Sequence, residues 1–321
     1  SMRLPVLLSS VALAILALPA LAFPVTIESC GKPVIFDAPP KAAVIHDLNM
    51  TEMAFALGLQ PSMVGVTGIT GWYKTGPEFL KQQGGIPELA PKYPSLENLI
   101  AAKTDFFFAG WYYGMKPGGE VTPDTLAAKG IKTFVLSESC VHLDKSRQRA
   151  TMNLLYDDEI TLGKIFGKQA EAEALVAGWK ARLAKVQNAV AGRPALRVFL
   201  YDSGEDKPFT AGKFAMPTAL IEAAGGKNLL DDFDMSWGSA AWETVAVRNP
   251  EFLILLDYQD DAGYQKLLTF LKAHPAMKET DAVKKGRFLP LRYQQITPGP
   301  ANIDAVEALA RALHPGALPA Q

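Results

Sequence analysis

The chain has 321 residues, 32 Lys+Arg against 33 Asp+Glu for a net charge of −1, 49% apolar residues and two cysteines. That length suffices for one large or two medium domains with a sizeable core, and the composition excludes disorder, a collagen repeat and a disulfide scaffold. The near-zero charge argues against a nucleic-acid binder or a polybasic membrane-surface protein, since both need an excess of cations.

Residues 1–22 read as an export leader rather than as fold. Arg3 precedes an apolar run from Leu7 to Leu18, and Ala20-Leu21-Ala22 follows as the A-x-A site of a cleaved signal peptide. The run is shorter than a bilayer span requires. Ser1 ahead of Met2 reads as a cloning remnant, and the lack of a cysteine at the cleavage point argues against a lipid anchor there. An exported chain sits in an oxidising compartment, so Cys30 and Cys140 are expected to pair as a disulfide. The loop so closed is worth about 4–5 kcal/mol as an upper figure in the chain-entropy picture. A thiol metal site would need more soft ligands than the chain offers.

Strand and helix signals then alternate, as in α/β architecture. The pattern predicts a buried strand over Ala42–His46, a helix over Thr51–Leu59, a strand over Met63–Thr67 and a helix capped by Ser95 running to Lys103. A buried strand at Asp105–Ala109, a helix at Thr122–Lys129 stopped by Gly130, and a strand at Lys132–Leu136 follow. Next comes a helix over Asn153–Phe166 with Asp157, Asp158 and Glu159 read as an acidic first turn. Residues 168–191 hold no proline and are rich in Ala, Glu, Lys and Leu, which predicts one helix longer than the globular average. The alternation restarts with strand Arg197–Tyr201, helix Met216–Ala224, strand Phe252–Leu256, helix Gly263–Ala273, strand Gly286–Leu291 and helix Asn302–Leu313.

The expected fold is therefore two Rossmann-like α/β lobes joined by a single long helix, with a ligand cleft between them. The divisions are residues 23–167, 168–191 and 192–321. An internal repeat supports two lobes: Ser95–Ala109 lies on Ala241–Leu255 without a gap, placing Glu97 on Glu243 and Asp105-Phe106 on Glu251-Phe252. Singly, each glutamate would complement a helix dipole; as a matched pair they suggest paired docking points.

Pro40-Lys-Ala-Ala-Val-Ile-His-Asp-Leu-Asn-Met-Thr-Glu-Met-Ala-Phe-Ala-Leu-Gly-Leu resembles the opening of the substrate-binding proteins of ferric-siderophore and cobalamin ABC importers. Tyr93-Pro-Ser-Leu-Glu-Asn-Leu-Ile-Ala-Ala-Lys-Thr-Asp and Trp242-Glu-Thr-Val-Ala-Val-Arg-Asn-Pro-Glu extend the resemblance. The resemblance implies a monomeric periplasmic protein that captures a metal chelate, first an iron(III)-siderophore and alternatively a corrinoid or haem, for an inner-membrane ABC permease. It also implies that Glu97 and Glu243 meet permease arginines, where carboxylates pair bidentately and fix orientation. Lys41-Ala42 stands where the family often has Pro-Lys-Arg-Val.

In open α/β sheets ligands bind beyond the carboxyl ends of the strands. The loops there offer His46, Asn49, Trp72, Tyr73, Trp111, Tyr112 and Tyr113 in the first lobe, with Asp47 and Gly68 among them. In the second they offer Tyr201, Phe214, Trp237, Trp242, Tyr258, Arg292 and Tyr293, with Asp202, Ser203 and Asp257 alongside. Such aromatics suit a bulky, partly aromatic or macrocyclic ligand, and Arg292 an anionic group on it. Of four histidines only His46 falls at the cleft, too few for bare Zn²⁺ or Mn²⁺. No nucleophile elbow, P-loop, His-Glu-x-x-His or Gly-x-Gly-x-x-Gly is present, so neither catalysis nor a resident cofactor is expected.

Overall fold

The computed structural model describes residues 22–73, 75–144, 148–258 and 263–320, so the leader falls outside the described residues up to Leu21. The first lobe opens with an antiparallel hairpin of β1 (Val25–Ser29) and β2 (Lys32–Phe36). Its two-residue turn is Cys30-Gly31, with φ 47° and 77°, the both-positive pattern whose twist matches a hairpin. Then come β3 (Ala43–His46), α1 (Leu48–Ala56), β4 (Met63–Thr67), α2 (Pro77–Gln83), β5 (Glu88–Ala90) and α3 (Leu96–Ala101). The lobe closes with β6 (Phe106–Trp111), β7 (Gly114–Met115), α4 (Pro123–Ala127) and β8 (Lys132–Val135). Its strands form a parallel sheet in the order β5-β4-β3-β6, with β8 beside β6 and β7 at the far end of β6.

Two helices follow, α5 (Asn153–Ile165) and α6 (Gln169–Val190). The second lobe comprises β9 (Arg197–Tyr201), β10 (Phe209–Ala211), α7 (Met216–Ala223), β11 (Lys227–Asn228), β12 (Trp237–Ser239), α8 (Trp242–Arg248) and β13 (Phe252–Leu256). It ends with α9 (Gly263–Ala273), α10 (Asp281–Lys285), β14 (Phe288–Leu291), α11 (Tyr293–Ile296) and α12 (Ala301–Leu313). Strands β11-β9-β13-β14 make its parallel sheet, and β10 pairs β12 as a separate antiparallel ribbon. The molecule is an α/β protein of two parallel-sheet lobes.

Alternation along the buried strands sets the layers. Phe106 and Phe108 face one way, as do Val198, Leu200, Ile254 and Leu256, and all belong to one apolar cluster running through both lobes. Phe107 and Ala109 face the opposite side of the first sheet, and Phe199, Tyr201, Leu253 and Leu255 the opposite side of the second. Helix α6 joins the shared cluster through Ala172, Val176, Trp179, Leu183, Val186 and Val190, a stripe spaced four and three residues apart. Its 22 residues span about 33 Å, and Arg182 ties its exposed side to Asp304, at 2.5 Å, and to Glu307 on α12.

The repeat has a structural counterpart. Asp105 accepts the backbone N–H groups of Lys41 and Ala42 at 2.8 and 3.0 Å, just ahead of β3. Glu251 accepts that of Arg197 at 3.3 Å, at the start of β9, and pairs with its guanidinium at 2.7 Å. Each carboxylate thus holds the neighbouring parallel strand in register. Two local readings change. Helix α1 begins at Leu48 rather than Thr51 because the Asp47 carboxylate accepts the Leu48 N–H at 2.8 Å. On α5 the acidic run lies past the first turn: Asp158 and Glu159 are buried, and Asp158 binds the Ser137 backbone N–H and hydroxyl. Burial, not the helix dipole, is what these carboxylates meet.

Candidate functional site

The loops after the carboxyl ends of the two sheets meet. Tyr73, after β4, stacks on Tyr293, after β14, with ring centroids 4.3 Å apart, and lies parallel to Tyr258, after β13, at 6.0 Å. The Tyr293 hydroxyl donates to Asp47 Oδ2 at 2.8 Å across the lobes, and the Tyr258 hydroxyl donates to Asp202. Arg292 stands 3.9 Å from Asp257. Asn49, in the first turn of α1, donates to the Pro298 carbonyl at 2.8 Å.

His46 forms the floor beneath Asp47. It is buried, its Nδ1 lies 2.7 Å from the Thr67 hydroxyl, and its ring meets Tyr93 edge-on at 5.4 Å. Burial lowers its pKa to about 3, so the imidazole is neutral across the physiological range. Two glycines make room for it. A Cβ on Gly68 would fall 2.3 Å from His46 Cε1 and one on Gly114 2.7 Å from Cγ, and their φ values are 72° and 95°. Gly114→Ala is expected to cost about 2–4 kcal/mol from left-handed strain plus overpacking. The cost should shrink in a His46→Ala background, a coupling that denaturant titration of the double-mutant cycle measures.

Glu138, on the turn after β8, is the second interlobe anchor. It is 1% exposed. It accepts the Tyr113 hydroxyl at 2.5 Å, the Met216 backbone N–H at 2.7 Å and the Trp237 indole N–H at 3.3 Å. Met216 opens α7 and Trp237 opens β12, so a first-lobe carboxylate caps a second-lobe helix and holds a second-lobe aromatic. The turn itself is fixed by Asp158 at Ser137 and by the disulfide between Cys140 and Cys30, Cα atoms 5.3 Å apart.

The remaining sequence candidates divide. Tyr113 joins Glu138, Trp237 stacks on Phe209 at 6.1 Å, and Trp72 is exposed beneath the Lys92 ammonium at 4.3 Å. Tyr112 is 55% exposed, sits at φ 63° and meets His142 edge-on. Phe214 is buried just ahead of α7. Trp111, Tyr201 and Trp242 are not brought to the cleft. By strand parity Trp111 and Tyr201 face the outer layers, and Trp242 packs 5.0 Å from Tyr201, its indole donating to the Glu205 carbonyl. Glu97 and Glu243 are both exposed in the first turns of α3 and α8. Tyr93 and Glu138 escaped the sequence-based selection, and Asp47 and Asp202 were noted there only as loop residues.

Electrostatics here run opposite to those of a surface. Burial raises Asp47, Glu138 and Asp158 to about 7, against the hydrogen bonds they accept, and it raises Asp202 as well. It also pushes the Tyr73, Tyr258 and Tyr293 phenols up, with Asp47 adding to the shift of each, so they remain neutral donors. A carboxyl whose folded pKa lies above its unfolded one contributes stability that is fully present below the unfolded value and lost as pH rises through 7. His46 works in the opposite sense, losing its contribution as pH falls from 6.5 towards 3. Several carboxyls oppose one imidazole, so the thermal midpoint is expected to rise as pH falls from about 8 to about 5. A midpoint that falls over that range would show that these carboxylates are ionised at no cost.

Among the described residues no group of three or more His, Cys, Asp and Glu side chains is placed to hold a metal ion, and no helix is long and apolar enough to cross a membrane. A crystal structure of a periplasmic binding protein from Veillonella parvula superposes with a TM-score of 0.79 at 29% identity, covering 90% of this chain and 97% of that one. An ABC-type Fe3+-hydroxamate transport system structure from Saccharomonospora viridis gives 0.77 at 24% identity, over 91% and 100%. In sequence, the chain is 23% identical over 298 residues to the uncharacterized ABC transporter substrate-binding lipoprotein YvrC of Bacillus subtilis, covering 91% of this chain and 86% of that protein. It is also 23% identical over 301 residues to a cobalamin-binding protein of Halobacterium salinarum, covering 92% and 75%. The family model described as periplasmic binding protein matches residues 44–293, from the second residue of β3 to the tyrosine that closes the cleft; the chain belongs to this family of substrate-binding proteins, which are not enzymes.

Proposed function

We propose that this substrate-binding protein works in the periplasm after removal of residues 1–22, captures an iron(III)-siderophore of low charge between its lobes, and delivers it as a monomer to an inner-membrane ABC permease. One observation carries the ligand class. Where the tyrosine rings meet, the described residues are neutral phenols with Asp47, Asp202 and Asp257, and Arg292 lies beside Asp257. Such a setting favours a neutral or cationic hydroxamate chelate over a trianionic catecholate one, which would meet like charge. The likeness to the Saccharomonospora viridis protein, which belongs to an Fe3+-hydroxamate transport system, supports the same direction.

A corrinoid is the second reading. The flat stack of Tyr73, Tyr258 and Tyr293 would suit a macrocycle, and the Halobacterium relative is named as cobalamin-binding. Intrinsic-fluorescence titration against a ferric hydroxamate, ferric enterobactin, cobalamin, haem and free Zn²⁺ tests both. The expected result is saturable quenching by the hydroxamate. Quenching by free Zn²⁺ alone would overturn the chelate reading. Residues 23–167 and 192–321 would act as the two gripping lobes and 168–191 as their link. Reversing the charge of Glu97 and Glu243 together is expected to abolish uptake in cells while leaving the quenching curve unchanged, since both lie outside the cleft.

A further inference from the structure

We propose that Asp47 selects the ligand by charge: its carboxylate receives a cationic hydrogen-bond donor of the chelate in the place that the Tyr293 hydroxyl occupies here. The inference rests on the siderophore reading above and names the chemistry of the group recognised.

Asp47 is 3% exposed. One carboxylate oxygen accepts the Leu48 N–H at 2.8 Å and so belongs to α1. The other accepts the Tyr293 hydroxyl at 2.8 Å, a donor supplied by the opposite lobe. That donor is not available to a loaded cleft. Tyr293 lies 4.3 Å from Tyr73 of the first lobe, so a chelate of siderophore size must part the rings, and with them the lobes, to enter. A buried carboxylate stripped of its donor must recover one. Among the described first-lobe groups, Tyr73, Tyr93 and Tyr113 feel its charge, and all three are phenols, while Arg292 stands 3.9 Å from Asp257. The ligand can supply the replacement, and a cationic donor is the best match because it also holds the carboxyl in its ionised, acceptor-only form. In the second lobe Asp202, also buried, keeps its donors within its own lobe, the hydroxyls of Tyr258 and Ser203, so Asp47 is the carboxyl whose donor crosses the cleft.

The test compares ferrioxamine B, which carries a pendant ammonium, with its N-acetyl derivative, which is neutral and has the same iron coordination. The natural chain is expected to bind the ammonium form at least ~10-fold more tightly, the value of one charge-assisted hydrogen bond. Asp47→Asn, which keeps a helix-capping oxygen, should bring the two within ~2-fold by weakening the ammonium form alone. Tyr293→Phe removes the competing hydroxyl and should widen the preference, and it carries the test if Asp47→Asn fails to fold. Equal affinity of the natural chain for both forms would overturn this inference and leave the siderophore reading standing, as would a preference that survives Asp47→Asn. Binding of cobalamin but of neither ferrioxamine would overturn the siderophore reading and this inference together.

Discussion

Glu138→Ala is expected to destabilise the fold by about 3–5 kcal/mol, the cost of leaving three buried donors without an acceptor. Three donors lose their acceptor at once: the Tyr113 hydroxyl, the Met216 N–H and the Trp237 indole. None is compensated by water, because the carboxyl is 1% exposed. The loss should not be a pure stability effect. Met216 and Trp237 belong to the second lobe, so the variant should also loosen the lobes against each other. Small-angle scattering should report a larger radius of gyration, and Trp237 emission should shift red. Glu138→Gln separates the two effects: it keeps one acceptor oxygen but turns an amide N–H₂ on the remaining donors, so it should restore only part of the stability. An alanine variant that melts with the natural chain would remove Glu138 from the interlobe link.

Cleaving Cys30–Cys140 is the second large effect. The half-cystines are 110 residues apart in sequence, for which chain entropy gives about 4–5 kcal/mol, and residual order in the unfolded chain should reduce the measured cost to about 2–4 kcal/mol. What the bridge pins is specific: the β1–β2 hairpin tip on one side and the Ser137–His142 turn on the other. Because Glu138 rides on that turn, a Cys30→Ser, Cys140→Ser chain should lose ligand affinity as well as stability. Chevron or urea titrations in the oxidised and reduced states measure the first loss, and fluorescence titration the second. Affinity unchanged on reduction would mean that Asp158 alone holds the turn.

Much of the architecture was legible because it is local. Buried runs such as Phe106-Phe-Phe-Ala and Phe252-Leu-Ile-Leu-Leu declare strands by composition, and the proline-free stretch ending at Gly192 declares the long helix. Cysteine pairing followed from compartment and parity of number. The cleft was half legible. Tyr73, Tyr258 and Tyr293 fell where the strand-end rule puts ligand residues, yet the same rule offered Trp111 and Tyr201, because it names the end of a strand and not the side its last residue faces. Counting alternation back from Phe107 and Phe199 would have sent both to the outer layers. Glu138 and Asp47 carry no local mark at all. Their meaning comes from partners 78, 99 and 246 positions away, and a lone carboxylate gains a role only once the other lobe is against it.

Helix α6 has a mechanical consequence. It is packed along its whole apolar stripe and strapped to α12 by Arg182, so it can tilt far more readily than it can bend. A rigid rod of about 33 Å turned one degree about one end moves the other by roughly 0.6 Å. Parting the tyrosine rings by a few ångströms therefore asks for a rotation of only several degrees, and the same rotation changes the separation of the outer faces in proportion. The protein is built as a caliper, in which the gap at the jaws is readable from outside as a distance.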